Sequence, residues 1–277
     1  MNNKLNVQCA VCHEKNYTIH DSVMSVYECK DCTHQFTILN PEEQEPYLQE
    51  YFSETHKNWF AHPDITLYDS VIKKVAKPKI KVLDVGCGTG SFLKHFGLKK
   101  KDVSLYGIDL IKNEHDGISF IQGDFDTFKF DSSFDVIVGF MVVEHMPDPR
   151  AFVQKIHTLL NPNGIVVLNT INSSSLMYNL ANLFRYCNWR GPCNRLYDHH
   201  HLQHYSLKSF KRLIKGNGFE VLDHWSHNFP LAAVDVPNDN GFMQSVYKIG
   251  VSATFGMTQF FGEGINQTII AKKNSSF

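Results

Sequence analysis

Lys81-Val-Leu-Asp-Val-Gly-Cys-Gly-Thr-Gly90 is the stretch on which the reading of this chain turns. Val82, Leu83 and Val85 form an apolar strand that ends in Gly86-x-Gly88-x-Gly90, and an amphipathic helix is predicted over about Ser91–Phe96. Glycines at such a turn let the backbone approach a ligand closely while helix N–H groups face it. Mononucleotide and dinucleotide sites share this pattern, so the next elements matter. A strand over Ser104–Ile108 ends in Asp109, about 20 residues past the glycines, where a carboxylate can accept both hydroxyls of a ribose. Phe120-Ile-Gln-Gly-Asp124-Phe125 ends a third strand with an acidic residue able to take an adenine amino proton. Phe134–Gly139 reads as a fourth strand, Pro149–Leu160 as a helix and Gly164–Asn169 as a fifth strand. Strands alternating with helices at this pace predict an α/β fold with a doubly wound parallel sheet.

The chain has 277 residues, enough for one large domain or one domain plus a small module. A hydrophobic fraction of 43% argues against disorder. Lys and Arg total 27 against 28 Asp and Glu, a net charge of −1. That balance removes the simplest electrostatic case for nucleic acid or an anionic membrane and leaves only a local patch. The richest apolar stretch, Gly241–Gly262, is interrupted by Gln244, Ser245, Lys248, Ser252, Thr258 and Gln259, so no membrane span is expected. Met1–Cys12 has no apolar run behind its lysine, hence no secretory signal is expected. Seven cysteines, four of them in two CxxC pairs, suit a reducing compartment, and a cytoplasmic location is expected.

Cys9-Ala-Val-Cys12 and Cys29-Lys-Asp-Cys32 are separated by sixteen residues. Two such knuckles present four thiolates to one tetrahedral Zn²⁺. A closed four-thiolate site has no open coordination position, so the metal is read as structural. Val23, Tyr27, Phe36 and Ile38 fit short strands around the knuckles, and residues 1–40 are expected to form a zinc ribbon. Residues 41–66 read as an acidic, aromatic connector with helical turns, and a helix over about Leu67–Ala76 leads into the main domain, 67–277.

Val-Leu-Asp-Val-Gly-Cys-Gly-Thr-Gly, the strand ends at Asp109 and Asp124, residues 134–149 and Leu-Asn-Pro-Asn-Gly at 160–164 together resemble class I S-adenosylmethionine-dependent methyltransferases. The likeness covers roughly Lys81–Asn172, and Asp84-x-Gly-x-Gly-x-Gly matches the methyltransferase form where a dehydrogenase more often has GxGxxG. The resemblance implies a seven-stranded Rossmann-like sheet and S-adenosylmethionine as cofactor. Asp84, Gly86, Cys87, Gly88 and Gly90 would surround its amino-acid portion, and Asp109 its ribose with Leu110 beside the adenine. Asp124 and Phe125 would meet the adenine ring, and Gly139 and Phe140 would lie near the methionine part. Cys87 is read as a small filler in the turn, although a helix N-terminus can lower a thiol pKa.

Ser173–Asp198 reads as an inserted lid over the open edge of the site, within an insertion near 173–200; a second lies near 226–266. Cys187 and Cys193 with Asp198 or His199 meet no standard metal-ligand spacing. His201-Leu-Gln-His204-Tyr205-Ser206 resembles the stretch of small-molecule methyltransferases that opens a helix ending at Gly218-Phe219, here over Leu207–Gly216 with Ser206 as N-cap. Methyl transfer needs alignment of the acceptor and, for oxygen or nitrogen, removal of its proton. His145, His201 and His204 are the candidate bases and Tyr205 an orienter, the competing reading being hydrogen bonds that shape the pocket. Ubiquinone-biosynthesis O-methyltransferases carry an acidic residue three places before a similar Glu-His pair. Met141 stands there in this chain, so no divalent cation is expected at Glu144-His145.

Phe219–Trp225 and Gln267–Lys272 read as an antiparallel closing pair of strands, and the apolar, helically spaced second half of 226–266 is read as packing on the domain ahead of forming an oligomer interface. The layout as a whole is similar to zinc-ribbon methyltransferases of bacterial polysaccharide and secondary-metabolite pathways, and to zinc-ribbon rRNA methyltransferases. Residues 1–40 hold Lys4, Lys15 and Lys30 against Glu14, Asp21, Glu28 and Asp31, which offers phosphates little. A small-molecule acceptor, such as a sugar, nucleotide-sugar or pathway metabolite methylated on O or N, is therefore expected, and nucleic acid is not. A non-catalytic cofactor-binding or interaction protein is the other alternative.

Overall fold

The computed structural model describes residues 8–38, 57–75, 77–198, 200–234, 241–261 and 263–274. His199 and most of the expected connector lie outside these residues. The chain opens with strands β1 (Tyr17–Asp21), β2 (Val26–Cys29) and β3 (Gln35–Thr37), and continues through helices α1 (Lys57–Ala61) and α2 (Ile65–Val75). The alternating part follows: β4 (Lys81–Val85), α3 (Ser91–Lys99), β5 (Ser104–Asp109), β6 (Ile118–Gln122), β7 (Phe134–Phe140), α4 (Pro149–Leu159) and β8 (Leu160–Ile171). Two helices, α5 (Leu176–Tyr186) and α6 (Gly191–Leu196), precede β9 (Gln203–His204) and α7 (Leu207–Lys215). Strand β10 (Phe219–His227), helix α8 (Gly241–Phe261) and β11 (Asn266–Lys273) complete the order.

The large sheet has seven strands in the order β10-β11-β8-β7-β4-β5-β6. Strands β6, β5, β4, β7 and β8 pair in parallel, and β11 runs antiparallel to both of its neighbours. This is the expected doubly wound α/β sheet with its antiparallel closing pair. Burial explains why the central strands read as apolar runs. Val82, Leu83, Ile137 and Val138 are fully enclosed, as helices cover both faces of a parallel sheet. On one face α2 presents Leu67, Val71, Ile72 and Val75, joined by Phe92 and Phe96 of α3. The other face holds Phe152, Val153 and Ile156 of α4 and Phe210, Leu213 and Ile214 of α7. Local chemistry starts these helices: the Asp148 carboxylate accepts from the Arg150 and Ala151 N–H groups ahead of α4, and the Ser206 hydroxyl accepts from Ser209 N–H ahead of α7.

The N-terminal strands share a sheet with a later part of the chain. They make a four-stranded sheet, β1-β2-β3-β9, whose last member belongs to the main domain, with Gln35 opposite His204 and Phe36 opposite Gln203. A buried carboxylate strengthens the junction. Asp21 Oδ2 lies 3.0 Å from Arg185 Nη1 and 2.8 Å from Arg190 Nη2, so β1 is tied to α5 and to the turn before α6. Burial alone would raise the Asp21 pKa, but the Met24 and Val23 N–H groups and the two guanidinium groups outweigh it and hold it below the usual value. The stabilisation is therefore full above about pH 4, the ordinary Asp value, and fades as pH falls through the depressed one. Asp21→Ala would leave one well-buried guanidinium unpaired and is expected to cost about 2–4 kcal/mol, read by urea unfolding at pH 7; the cost should shrink on acidification to about pH 3. A loss under 0.5 kcal/mol would show that the junction does not depend on this carboxylate.

Candidate active site

At the carboxyl end of β4 the chain turns through Gly86, Gly88 and Gly90, all with positive φ (67°, 49° and 71°). A Cβ at Gly86 would run into the Val142 side chain, so both backbone conformation and space demand glycine there. Behind the turn lies Asp84, 2% exposed, with no hydrogen-bond partner for Oδ1. Burial first, and then the neighbouring Asp109 charge, push its pKa well above the usual carboxylate range. Asp109 ends β5 and accepts from Gly88 N–H at 2.8 Å and Ile111 N–H at 3.0 Å. Burial raises its pKa against the opposing pull of these N–H groups. Beside the glycine turn these two carboxyls offer acceptor oxygens for a cation or for hydroxyl donors.

A cavity of about 780 Å³ opens from this turn, within the usual size of small-molecule sites. Asp109, Leu110, Asp124 and Phe125 line one end with Gly86 and Gly88, and Phe140 stands between this cavity and a smaller one beside Asp84. Two expected cofactor residues, Gly90 and Gly139, line neither space, and Cys87 lines the smaller one with Asp84. Gly90 lines neither space; its left-handed φ lets the turn enter α3. Gly139 faces neither cavity, and a Cβ there would meet Leu168 of β8 at 3.1 Å, so its smallness serves close strand packing. Cys87 lines only the smaller space, with its Sγ over Gly107 of β5. Burial first, then Asp84 and Asp109, raise its thiol pKa; it is a filler and not the activated thiol that a helix N-terminus can produce.

The cavity is also lined by His145 and His201, their ring centroids 5.0 Å apart. His145 Nδ1 lies 2.7 Å from the His200 carbonyl oxygen. A carbonyl only accepts, so Nδ1 carries the proton and the lone pair of the neutral ring is on Nε2. Glu144, fully enclosed, accepts from Thr170 Oγ1 at 2.8 Å, while its Oε1 has no partner. Burial pushes its pKa up to about 8, with the Thr170 hydrogen bond working the other way. Ligand-type atoms of Glu144, His145 and His201 lie within 4.8 Å of one another, a set able to hold a metal ion. The third member, His201, stands 57 places after Glu144 in sequence, too far away for any local motif to show.

His204 and Tyr205 are not brought to the cavity wall. Both are fully enclosed. His204 bridges Tyr178 Oη through Nδ1 and Thr37 Oγ1 through Nε2, each at 3.3 Å, and burial keeps its pKa well below the ordinary value. Tyr205 donates to the Val143 carbonyl oxygen at 3.2 Å and packs on His34 and Phe210. The reason is β9: its pairing with β3 seals this segment at the junction of the two sheets. Conversely, Trp59, Phe229, Arg195 and Tyr247 reach the cavity from segments whose placement no local pattern reveals.

The four N-terminal cysteines converge. Cys9 and Cys32 Sγ are 3.6 Å apart and Cys12 and Cys29 Sγ 3.4 Å apart, and all four form one potential metal cluster. Cys187 is exposed and Cys193 buried, and neither joins a metal-type cluster among the described residues.

A family model described as a methyltransferase domain matches residues 60–224, more than half of the chain. The chain belongs to this methyltransferase family. A ubiquinone biosynthesis O-methyltransferase of Xanthomonas campestris pv. campestris is 31% identical over 126 residues, 41% of this chain and 52% of that protein, so the match spans about half of the relative's length. Two solved structures share the fold. The 1,6-didemethyltoxoflavin-N1-methyltransferase of Burkholderia thailandensis has a TM-score of 0.55 at 12% identity, covering 94% of this chain and all of that one. Coclaurine N-methyltransferase bound to N-methylheliamine and SAH has a TM-score of 0.54 at 15% identity, covering 76% and 72%.

The folded methyltransferase domain keeps the Asp84 proton at a pH where the unfolded chain has lost it. Stability should therefore fall as pH rises from about 4 towards the raised pKa. Asp84→Asn removes that penalty. Its melting temperature should match the parent near pH 4 and exceed it at pH 7, by about 2–4 °C per kcal/mol recovered; a gap independent of pH would contradict a protonated, buried Asp84.

Proposed function

We propose that this chain is an S-adenosylmethionine-dependent methyltransferase acting on a small molecule. The observation that carries this reading is the buried carboxyl of Asp84 beside the glycine turn: its unpartnered Oδ1 can accept from the cofactor's ammonium group, whose charge would draw off the carboxyl proton that burial retains. In this reading Gly86 and Gly88 receive the amino-acid portion, Asp109 the ribose, Asp124, Phe125 and Leu110 the adenine, and Phe140 the region of the methionine. The cofactor supplies a methyl group on a sulfonium. The chain supplies orientation, exclusion of water and a proton acceptor. His145, its tautomer set by the His200 carbonyl, takes the acceptor's proton on Nε2, with His201 beside it orienting the hydroxyl or amine. Glu144 sits behind the pair as a buried carboxyl, and the three together would also accommodate a divalent cation.

The walls bear on the acceptor. Away from the cofactor end they include Met141, Met146, Met177, Leu202, Phe229 and Val251, and polar atoms come from Arg195, Asn266, Tyr178, Tyr247 and the histidines at 145, 200 and 201. Most of this wall is apolar. An apolar or ring-bearing molecule carrying one reactive hydroxyl or amine suits it. For the N-terminal module the reading is structural zinc: the paired Sγ spacings are those of thiolates around one tetrahedral ion, for which Zn–S bonds of about 2.3 Å imply edges near 3.8 Å.

Purified chain with methyl-labelled cofactor and extract fractions should place label in small apolar metabolites. Label in RNA would overturn the substrate class, and no label despite cofactor binding would favour a non-catalytic role. Asp84→Asn is expected to weaken SAH binding at least about tenfold by calorimetry, an ion pair's worth or more. His145→Gln should leave SAH affinity unchanged and lower kcat by about 10²–10⁴-fold; unchanged turnover would remove it as the base. Elemental analysis should find one zinc per chain, lost in Cys9→Ser with Cys32→Ser along with several degrees of thermal stability.

A further inference from the structure

The charges around the cavity are sorted by position. All three carboxylates that line it, Asp109, Asp124 and Asp126, lie at or after the ends of β5 and β6, at one edge of the large sheet. The rest of the wall is built from segments that follow β7 and β8, on the other side of β4. From residue 140 onward the described lining residues include no Asp or Glu. They include three histidines and one full cation, Arg195. Glu144, Asp198 and Glu263 belong to the same part of the chain but lie off the wall, accepting from Thr170 Oγ1, His200 N–H and Asn172 Nδ2.

Arg195 is placed by its neighbours. Leu196, the next residue, lines the cavity, packs against the cluster of Ile171 and Tyr178, and accepts from Tyr178 Oη at 2.9 Å through its carbonyl. Arg195 Cζ sits over the Tyr247 ring, 4.8 Å from its centroid. A guanidinium laid on a ring keeps its N–H donors in its own plane, directed past the ring edge. Arg185 and Arg190 have a different task, since both bind Asp21 Oδ2 at the junction of the sheets. Arg195 is exposed and yet lines the cavity, which puts it at the mouth, where an anion keeps part of its hydration. Around it Met177, Leu196, Phe229 and Tyr247 pack against Val251 and Phe255, an apolar surrounding in which one cation matches one negative charge. A carboxylate meets the planar fork with two parallel hydrogen bonds. A phosphate monoester would leave a second charge against apolar side chains.

We propose that the methyl acceptor is a carboxylic acid: an apolar or ring-bearing body whose carboxylate Arg195 binds at the cavity mouth while its hydroxyl or amine points inward to His145 and His201. This assignment rests on the methyltransferase reading of the cavity and adds the acceptor's class. Arg195 acts in specificity, holding the carboxylate, and takes no part in proton transfer.

The test is binding of 2-naphthoate and of its neutral counterpart 2-naphthamide to the full chain loaded with SAH, followed by saturation-transfer NMR. The acid should bind about fivefold tighter than the amide, the size expected of an ion pair at a partly hydrated mouth. Arg195→Gln should bring that preference below about twofold and Arg195→Lys should keep part of it. SAH affinity and melting temperature should not change in either variant, because Arg195 is exposed and stands across β4 from Asp109. Equal binding of acid and amide by the parent chain, or a preference that survives Arg195→Gln intact, would overturn the proposal. Methyl-labelled cofactor with extract fractions gives a second readout. Labelled product should be retained by an anion exchanger at pH 8 and pass into organic solvent at pH 2, where a carboxylate is protonated. Product that is neutral at pH 8, or still anionic at pH 2 as phosphate and sulfate esters are, would overturn the carboxylate while methyl transfer stands. Failure of the parent chain to bind SAH would instead defeat the methyltransferase reading.

Discussion

Two residue pairs, Gln35 with His204 and Phe36 with Gln203, join the cysteine-bearing sheet to the main domain, and much of the site hangs on them. The loop before β9 supplies His200, His201 and Leu202 to the cavity. Leu202 N–H donates to the Glu144 carbonyl oxygen, Gln203 Nε2 to that of Met146, and Tyr205 Oη to that of Val143. Thr33 and Ser206 hydroxyls meet at 2.6 Å, and His34 Nε2 lies 2.8 Å from Gln203 Oε1. The separation of His145 from His201 is thus set by a hydrogen-bonded chain that starts one residue after Cys32. Such networks are buried, so each member has a partner or a cost, and the arrangement resists drift.

The same region stores electrostatic cost. Asp84 has an orphaned oxygen, Glu144 has another, and both carboxyls are pushed upwards by burial. A chain selected only for stability would neutralise them. Their persistence beside a glycine turn and a histidine pair is the pattern expected where binding and proton transfer need poised groups. Met141, at φ +55° at the end of β7, adds backbone strain at the same mouth and is held by its N–H to the Asn169 carbonyl oxygen.

Helices α5, α6 and α8 connect these features to the surface. Asp21 anchors α5 and the start of α6 to the N-terminal sheet. Helix α8 closes the cavity with Tyr247, Val251 and Phe255 on one flank and shows Ile249 and Phe260 to solvent on another.

The fold was largely legible because its signals are local. The glycine turn needs residues that tolerate positive φ, Ser206 caps through a neighbour three places on, and strands of an enclosed parallel sheet read as apolar runs. Cysteine spacing belongs to the same class, because each knuckle is a tight turn. Helical spacing in 241–261 was legible too, but not that one stripe would pack inward while the next stayed exposed. The site was only partly legible. His204 and Tyr205 carry the residue types of a catalytic pair, yet β9 pairs with β3 and seals them. Gly139 looks like a ligand glycine and serves strand packing, and Glu144 gains His201 as a neighbour from the far side of two helices. The sequence by itself determined the strand–turn–helix order, the cysteine knuckles and the acidic strand ends, since those depend on neighbours a few residues apart. Only the tertiary structure decided which histidines face the cavity and which flank of α8 faces solvent, since those depend on segments that meet only after the sheets have joined.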